Sequence, residues 1–389
     1  MFMKITAANI YVVPTGFRRA VILELETDAG ITGLGEAGIA YGLGTTAAAE
    51  MLAAMLERLV IGRDPSPVEL IWNDIYDQGF WTKGGGAISM AGLSAIDHAL
   101  WDIKGKALGV PVHMLLGGPI ETELDVYANG WWLGCNSGSA FAEAGLRAVE
   151  RGYRGLKLYP LGMADPITVI RHPARRSLRQ GESALVIERV EKLRAAVGED
   201  VAIMLDFGGG LSSDQLLPLL RRLEPFNICF VEEPVDPALP GALAKVGRST
   251  PITLAAGERV YTRFGFHILL ETGAVSIIQP DLCNTGGIME GKKIAALAEI
   301  HNARVAPHNY GSTLATAISA QLSACIPNFM VLECFPDYAS EPNYVPILEN
   351  PWEDNVKNGR MPVSSMPGLG AVLCRSTVER HLWKRVIPD

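Results

Sequence analysis

Three short apolar runs of the chain each end in an acid. MLDFGGG carries Asp206, FVEEP carries Glu232 and AAGER carries Glu258, each 26 residues after the one before. Carboxylates brought together repel one another, so three converging on one point need a cation among them. Hard oxygen donors in that number suit Mg²⁺, which keeps open positions for water or a substrate oxygen. Any one of these acids alone reads as readily as a solvated loop residue or a helix cap; recurrence in phase is what sets the three apart. The next two runs end in Asp281 (IIQPD) and His308 (VAPHN). A carboxylate beside an imidazole fixes its tautomer and raises its basicity, which makes a general base near neutral pH. The bland alternative for His308 is a structural histidine after a proline. Lys157 in GLKLYP adds a cation able to hold a substrate carboxylate or an enolate oxygen, or else a surface lysine at a strand end. Glu333, on the last apolar run, is either a partner for the developing charge or an ordinary exposed acid.

Together these residues describe one kind of chemistry. The proton α to a carboxylate is too weakly acidic for an unaided base. A divalent ion bound to a carboxylate oxygen and an α-hydroxyl would stabilise the enediolate left behind, and the His308/Asp281 pair would take the proton. Reprotonation then gives racemisation or epimerisation, while loss of a β-hydroxyl gives dehydration.

Residues at the C-terminal ends of parallel strands converge in this way when the strands close into a barrel. After Glu121 eight strand-like runs (124–128, 155–159, 201–205, 228–231, 252–256, 275–279, 304–306 and 330–333) alternate with amphipathic stretches such as Ser183–Val197 and Glu290–His301. That alternation predicts a (β/α) barrel. One gap is longer: Pro160–Gly181, containing ARRSLRQG, reads as an inserted loop. Before the barrel, Val21, Leu23 and Leu25 alternate with Ile22, Glu24 and Glu26, and Asp28-Ala29-Gly30 turns into a third strand. From Ser89, Leu93, Ile96, Leu100, Ile103 and Ala107 recur on one helical face, closed by Gly109 and Pro111. The expected division is an α+β domain over 1–122, a barrel over 123–360, and a C-terminal segment over 361–389 that rejoins the first domain.

Composition removes several other classes. The formal charge of −8, without a Lys/Arg cluster, gives no footprint for nucleic acid. No run approaches the ~20 apolar residues of a membrane span. The start of the chain alternates like strands and lacks the apolar core of a signal peptide. Six cysteines without a CxxC read as buried free thiols of a cytoplasmic protein rather than a zinc site.

With these residues in view, the chain resembles the enolase superfamily, in its mandelate racemase/muconate lactonising branch. The resemblance runs through ITGLGEAG, AISMAGLSAIDHALWDIKGKALGVPVHMLLGG, LKLYP, LDFGGG, FVEEP, AAGER, QPDLCNTGGI and VAPHN, nearly the whole chain. It implies a modified (β/α)₇β TIM barrel closed by an N-terminal α+β capping domain. It also implies Mg²⁺ on Asp206, Glu232 and Glu258, a base dyad of His308 and Asp281, a last-strand acid at Glu333, and commonly a homo-oligomer. Lys157 matches the first lysine of the branch's KxK motif, but the second position is Tyr159, which weakens the case for a two-base racemase. Sugar-acid dehydratases of the branch, acting on an aldonate or aldarate, fit this pattern better. Tyr159 is then either a proton or hydrogen-bond donor, or a packing residue of the mouth. Galactonate-type dehydratases carry a histidine two residues after the first ligand, where this chain has Gly208. His308, Tyr159 or a metal-bound water would then protonate the leaving hydroxyl. The loops Thr15–Arg19, Ala40–Leu43 and Phe80–Gly86 are expected to line the pocket, with Arg18 or Arg19 facing a distal carboxylate or solvent. The alternatives are a racemase, epimerase or cycloisomerase on the same scaffold, and a binding protein that kept the barrel without turnover.

Overall fold

The computed structural model describes residues 3–165, 169–171, 177–336 and 338–388. Strands β1 (Ile5–Thr15), β2 (Arg18–Thr27) and β3 (Thr32–Ala37) form an antiparallel meander. The first turn is the two-residue Gly16-Phe17, with Gly16 at φ +73°, as a primed hairpin turn requires. Helices α1 (Thr45–Leu59), α2 (Val68–Gln78), α3 (Ala87–Leu108) and the short α4 (Val112–Leu115) follow.

The α3 helix differs from a one-faced amphipathic helix. Leu93, Ile96, Leu100 and Ile103 are buried as their spacing predicts, and Ala107 is exposed at the end of the helix. Ser94, Asp97, His98 and Asp102 are buried as well. The reason is that α3 is sandwiched. On one side a Cβ on Gly33 or Gly35 would lie 2.2 or 2.0 Å from the carbonyl oxygens of Ala99 and Ala95, so only glycine lets β3 approach this closely. On the other side Asp97 accepts a hydrogen bond from the Ile288 amide at 2.7 Å, and Ser94 accepts one from Gly286 at 2.9 Å. The polar residues of α3 are therefore the fasteners between the N-terminal layer and the barrel.

The barrel strands are β4 (Glu123–Ala128), β5 (Gly155–Leu158) and, after a small antiparallel pair β6 (Met163–Asp165) and β7 (Val169–Arg171), β8 (Ala202–Asp206). Next come β9 (Ile228–Glu232), β10 (Leu254–Ala256), β11 (Ile277–Ile278), β12 (Arg304–Val305) and β13 (Leu332–Cys334). Among the described residues seven α-helices fall between them: α5 (Gly138–Glu150), α6 (Glu182–Val197), α7 (Ser213–Leu223), α8 (Pro240–Gly247), α9 (Thr262–Glu271), α10 (Gly287–Ile300) and α11 (Thr313–Ser323). All eight strands are parallel in the order β12-β11-β10-β9-β8-β5-β4-β13. The ring closes where Val305 exchanges hydrogen bonds with Asn328 and Met330, at 2.9 and 2.8 Å. This is a modified TIM barrel of the (β/α)₇β kind under an N-terminal α+β cap. Of the insertion expected over 160–181, residues 166–168 and 172–176 lie outside the described residues.

After the barrel, β14 (Arg360–Pro362) pairs with β4, and past the one-turn α12 (Arg375–Val378) the last strand β15 (Leu382–Val386) pairs antiparallel with β1. The end of the chain thus completes the four-stranded sheet of its beginning. All six cysteines are free thiols. Among the described residues no helix is long and apolar enough to cross a membrane.

Candidate active site

The site is built on a plug of apolar side chains inside the barrel: Tyr127, Met204, Phe230, Ala255, Ile277, Ala306 and Val331. Tyr127 of β4 meets Phe230 of β9 edge to face, at 6.4 Å between ring centroids, although two strands separate them in the sheet. They meet across the interior. Side chains two residues further along a strand point the same way. That step leads from Tyr127 to Asn129, Met204 to Asp206, Phe230 to Glu232, Ile277 to Gln279, Ala306 to His308 and Val331 to Glu333. Lys157 stands two residues after Gly155, where a Cβ would come within 2.8 Å of the Tyr127 Cβ. On β10 the step from Ala255 lands on Gly257, whose φ of +142° redirects the backbone before Glu258. One apolar layer thus supports one polar layer, which explains why residues scattered over 200 positions gather at one mouth.

In that layer Lys157 is fully buried and its Nζ lies 2.9 and 2.8 Å from the two oxygens of Glu232 and 2.8 Å from Glu333 Oε1. Burial alone would lower the lysine pKa, but Glu232 and Glu333 outweigh it and hold the ammonium well above its ordinary value. Glu333 also accepts hydrogen bonds from Asn129 Nδ2 at 2.7 Å and the Asn309 amide at 2.9 Å. Burial pushes its carboxyl up, yet Lys157 and His308 prevail and keep it below the usual range. Gln279 donates to Glu232 at 2.7 Å. Glu232 and Glu333 are fully buried, and of this trio only Lys157 reaches the cavity above.

His308 is clamped by two acids: Nδ1 lies 2.9 Å from Asp281 Oδ2, and Nε2 lies 3.1 Å from Glu258 Oε2. Asp281 is itself fixed by the Cys283 amide at 2.8 Å. Burial would lower the imidazole pKa, but Glu258 and Asp281 raise it to about 10. Asp206 sits beside Glu232 in register. Burial and the charges of Glu232 and Glu258 push its carboxyl well up. Ligand atoms of Glu232, Glu258 and His308 lie within 4.8 Å of one another. With Asp206, whose carboxyl burial, Glu232 and Glu258 push upward, these carboxylates are hard oxygen donors that suit a divalent cation. Among the described residues one other group is as close, His267, Glu271 and His301, on the outer helices and away from this mouth.

The cavity over these groups has a volume of about 570 Å³. Tyr159 lines it while being 4% exposed, stacked on Trp132 with 6.4 Å between ring centroids. A Cβ on Gly208 would lie 3.2 Å from the Tyr159 ring and 3.7 Å from its hydroxyl oxygen. The absence of a side chain at 208 is therefore what admits the phenol. Burial pushes the Tyr159 hydroxyl pKa upward, so it stays protonated.

Two expectations about the rim are corrected. Arg18 lies outside the cavity: its guanidinium donates to Gly311 O at 3.0 Å, approaches Glu341 at 3.5 Å and stacks over Phe335. Arg19 is exposed and also outside. Both are kept away because Arg18 turns inward under the cap, in a strand where its neighbour must then face solvent. The cation that does line the cavity beside Lys157 is Arg259, bound to Glu233 at 2.6 Å, Gly208 O at 2.9 Å and Glu258 at 3.2 Å. Of the three expected loops only Ala40 and Tyr41 reach the cavity, joined by Gly38 and Ile39 just before them, whereas Phe80 and Trp81 are exposed to solvent. Sequence patterning does not single out Asn129, Gln279, Asn309 or Arg259. The first two could have been found by counting two residues on from an apolar strand position.

Comparison with known proteins agrees with this architecture. Residues 8–117 match the mandelate racemase/muconate lactonizing enzyme N-terminal domain, and residues 140–377 match the enolase C-terminal domain-like family. The chain belongs to the mandelate racemase/muconate lactonizing enzyme branch of the enolase superfamily. Within that family, a D-galactonate dehydratase from Verminephrobacter eiseniae is 34% identical over 381 residues, covering 97% of this chain and 94% of the relative. One from Ralstonia pickettii is 39% identical over 306 residues, covering 79% and 75%. Among solved structures, a candidate dehydratase from Mesorhizobium loti superposes with a TM-score of 0.94 at 46% identity, covering 98% of this chain and 99% of that one. An enolase superfamily member from Salmonella Typhimurium gives 0.89 at 33%, with full coverage of both.

Proposed function

We propose that the chain is a Mg²⁺-dependent hydro-lyase that dehydrates an acid sugar, an aldonate or aldarate, to a 2-keto-3-deoxy acid. The observation that carries this reading is the convergence of Lys157, Asp206, Glu258 and the His308–Asp281 pair on one cavity, with Glu232 buried against Lys157 beneath them, in a chain whose relatives include D-galactonate dehydratases. Asp206, Glu232 and Glu258 would hold the ion. Mg²⁺ bound there supplies positive charge next to the substrate carboxylate, which makes the α-proton acidic enough to remove.

His308 takes that proton at Nε2, while Asp281 holds Nδ1–H and so keeps the reacting nitrogen free of its own proton. In the cation-free geometry Glu258 holds the imidazole protonated. A cation held by Glu258 would weaken that pull and leave His308 available as a base near neutral pH. Lys157 meets the substrate carboxylate, fixed in place by Glu232 and Glu333. The electron pair of the broken C–H bond is first held as an enediolate, and it forms the double bond to the β-carbon when the β C–O bond then breaks. Tyr159 gives its hydroxyl proton to the departing oxygen, which leaves as water, and the enol product tautomerises to the keto acid. The vacant volume at Gly208 supports this role for Tyr159, because it lets the phenol stand where a longer side chain at 208 would project.

In this reading residues 123–360 are the catalytic barrel, and 1–122 with 361–389 form the cap of a cytoplasmic homo-oligomer. The deciding experiment incubates the protein and Mg²⁺ with a panel of aldonates and aldarates and measures keto acid. Product that disappears with EDTA and returns with Mg²⁺ supports dehydration. Epimerised or α-deuterated substrate without keto acid would overturn it in favour of a racemase or epimerase.

A further inference from the structure

Beside Asn309, whose amide holds Glu333, lies a second, small cavity of about 10 Å³. That is the room of one water molecule and not two. Among the residues lining it are Arg18, Asn309, Thr313 and Glu353, which are 2%, 3%, 4% and 8% exposed. Each holds one side-chain atom with no hydrogen-bond partner among the described residues: Arg18 Nε, Asn309 Oδ1, Thr313 Oγ1 and Glu353 Oε2. Arg18 Nε can only donate, Asn309 Oδ1 only accepts and the Thr313 hydroxyl can donate; Glu353, whose carboxyl burial pushes up to about 7, accepts at Oε2 when ionised. A water molecule accepts two hydrogen bonds and donates two. It is the one small ligand that matches two donors and two acceptors in this volume.

We propose that one ordered water occupies this void, accepting from Arg18 and Thr313 and donating to Asn309 and Glu353, and that this node positions Glu333. The four residues come from the cap strand β2, the loop after β12, the start of α11 and the segment after β13. The link to Glu333 is Asn309. Its amide donates to Glu333 Oε2 at 2.9 Å, and its side chain donates to Glu333 O at 3.0 Å and Thr316 Oγ1 at 2.7 Å. Both protons of the Asn309 side-chain amide are thus used, and its carbonyl is the anchor the water holds. Through it, Arg18 and Glu353 are positioning residues for the acid that grips Lys157. The importance given to Glu333 rests on the function proposed above, but the water and its effect on Asn309 do not.

The test needs no turnover. A crystal structure of the wild-type protein, at a resolution that shows ordered waters, is expected to place density within hydrogen-bond distance of all four atoms. Amide exchange of Asn309 is then compared in Thr313→Val, which keeps the shape and removes the hydroxyl, and in Thr313→Ser, which keeps the hydroxyl. Exchange is expected to be about tenfold faster in the valine variant and restored in the serine variant. An empty void in the wild type overturns the water. Density with unchanged Asn309 exchange in Thr313→Val overturns the positioning role.

Discussion

Replacing Lys157 with Met gives the sharpest test of how the polar layer holds together. Methionine is unbranched and one atom shorter, so it keeps most of the packing while removing the ammonium group with its charge and donors. Lys157 Nζ makes ion pairs at 2.8 Å with Glu232 and 2.8 Å with Glu333, with all three side chains at most 1% exposed. At an effective dielectric of about 20, such a pair is worth roughly 6 kcal/mol before desolvation, or roughly 12 for two. Desolvation offsets much of this, and removing one member of a buried pair destabilises by about 3–5 kcal/mol. The metal-free protein at pH 8 should therefore lose about 3–5 kcal/mol of unfolding free energy in urea, measured by linear extrapolation.

The loss should also depend on pH, and its sign follows from linkage. In the wild type the Glu333 carboxyl is held below its ordinary value, so its stabilisation is present above the unfolded carboxylate pKa and fades only as pH falls through the lowered folded one. Burial already holds the Glu232 carboxyl above its ordinary value in the wild type; without Lys157 that rise grows and the Glu333 carboxyl rises with it, above the unfolded chain. The variant then becomes less stable as pH rises, by up to about 1.4 kcal/mol per pH unit for each proton taken up on folding. The gap between variant and wild type should narrow from pH 8 to pH 5.5. A loss below about 1 kcal/mol, the scale of an exposed pair, or a gap that ignores pH, would refute this account of the layer.

Other substitutions separate the proposed roles. His308→Asn should lower kcat by about 10²–10⁴-fold, the usual worth of a general base, while calorimetry still detects Mg²⁺ binding; near-normal turnover would remove His308 from that role. Glu232→Gln should weaken Mg²⁺ binding at least tenfold, and unchanged affinity would show that Glu232 is not a ligand. Tyr159→Phe removes only the hydroxyl from a packed ring, so thermal stability should change little. Its kcat for dehydration should fall by about 10²-fold or more with KM nearly constant, while exchange of the substrate α-proton with solvent deuterium persists. Loss of exchange together with dehydration would place Tyr159 before proton abstraction and refute its role as the acid.

Much of this protein is legible without coordinates. Strands with apolar runs, the crossover helices between them and the acids at their ends are local patterns with a fixed period, and they determine the eight-stranded barrel and its order. Asp206, Glu232, Glu258, Asp281 and His308 could be picked out because each closes such a run. What only the tertiary structure decided is how charges and volumes are shared between strands far apart in sequence. The burial of Lys157 between Glu232 and Glu333, the diversion of Arg18 from the cavity to Gly311 and Glu341, and the space at Gly208 filled by Tyr159 all depend on distances across the barrel. The α3 helix shows the same division. Its apolar spacing announces one buried face, but Asp97, His98 and Asp102 are buried because the cap sheet and the barrel press on it from opposite sides. Local sequence sets which way a side chain points along its own strand or helix; only packing sets what stands opposite, and there electrostatics and sterics assign the role.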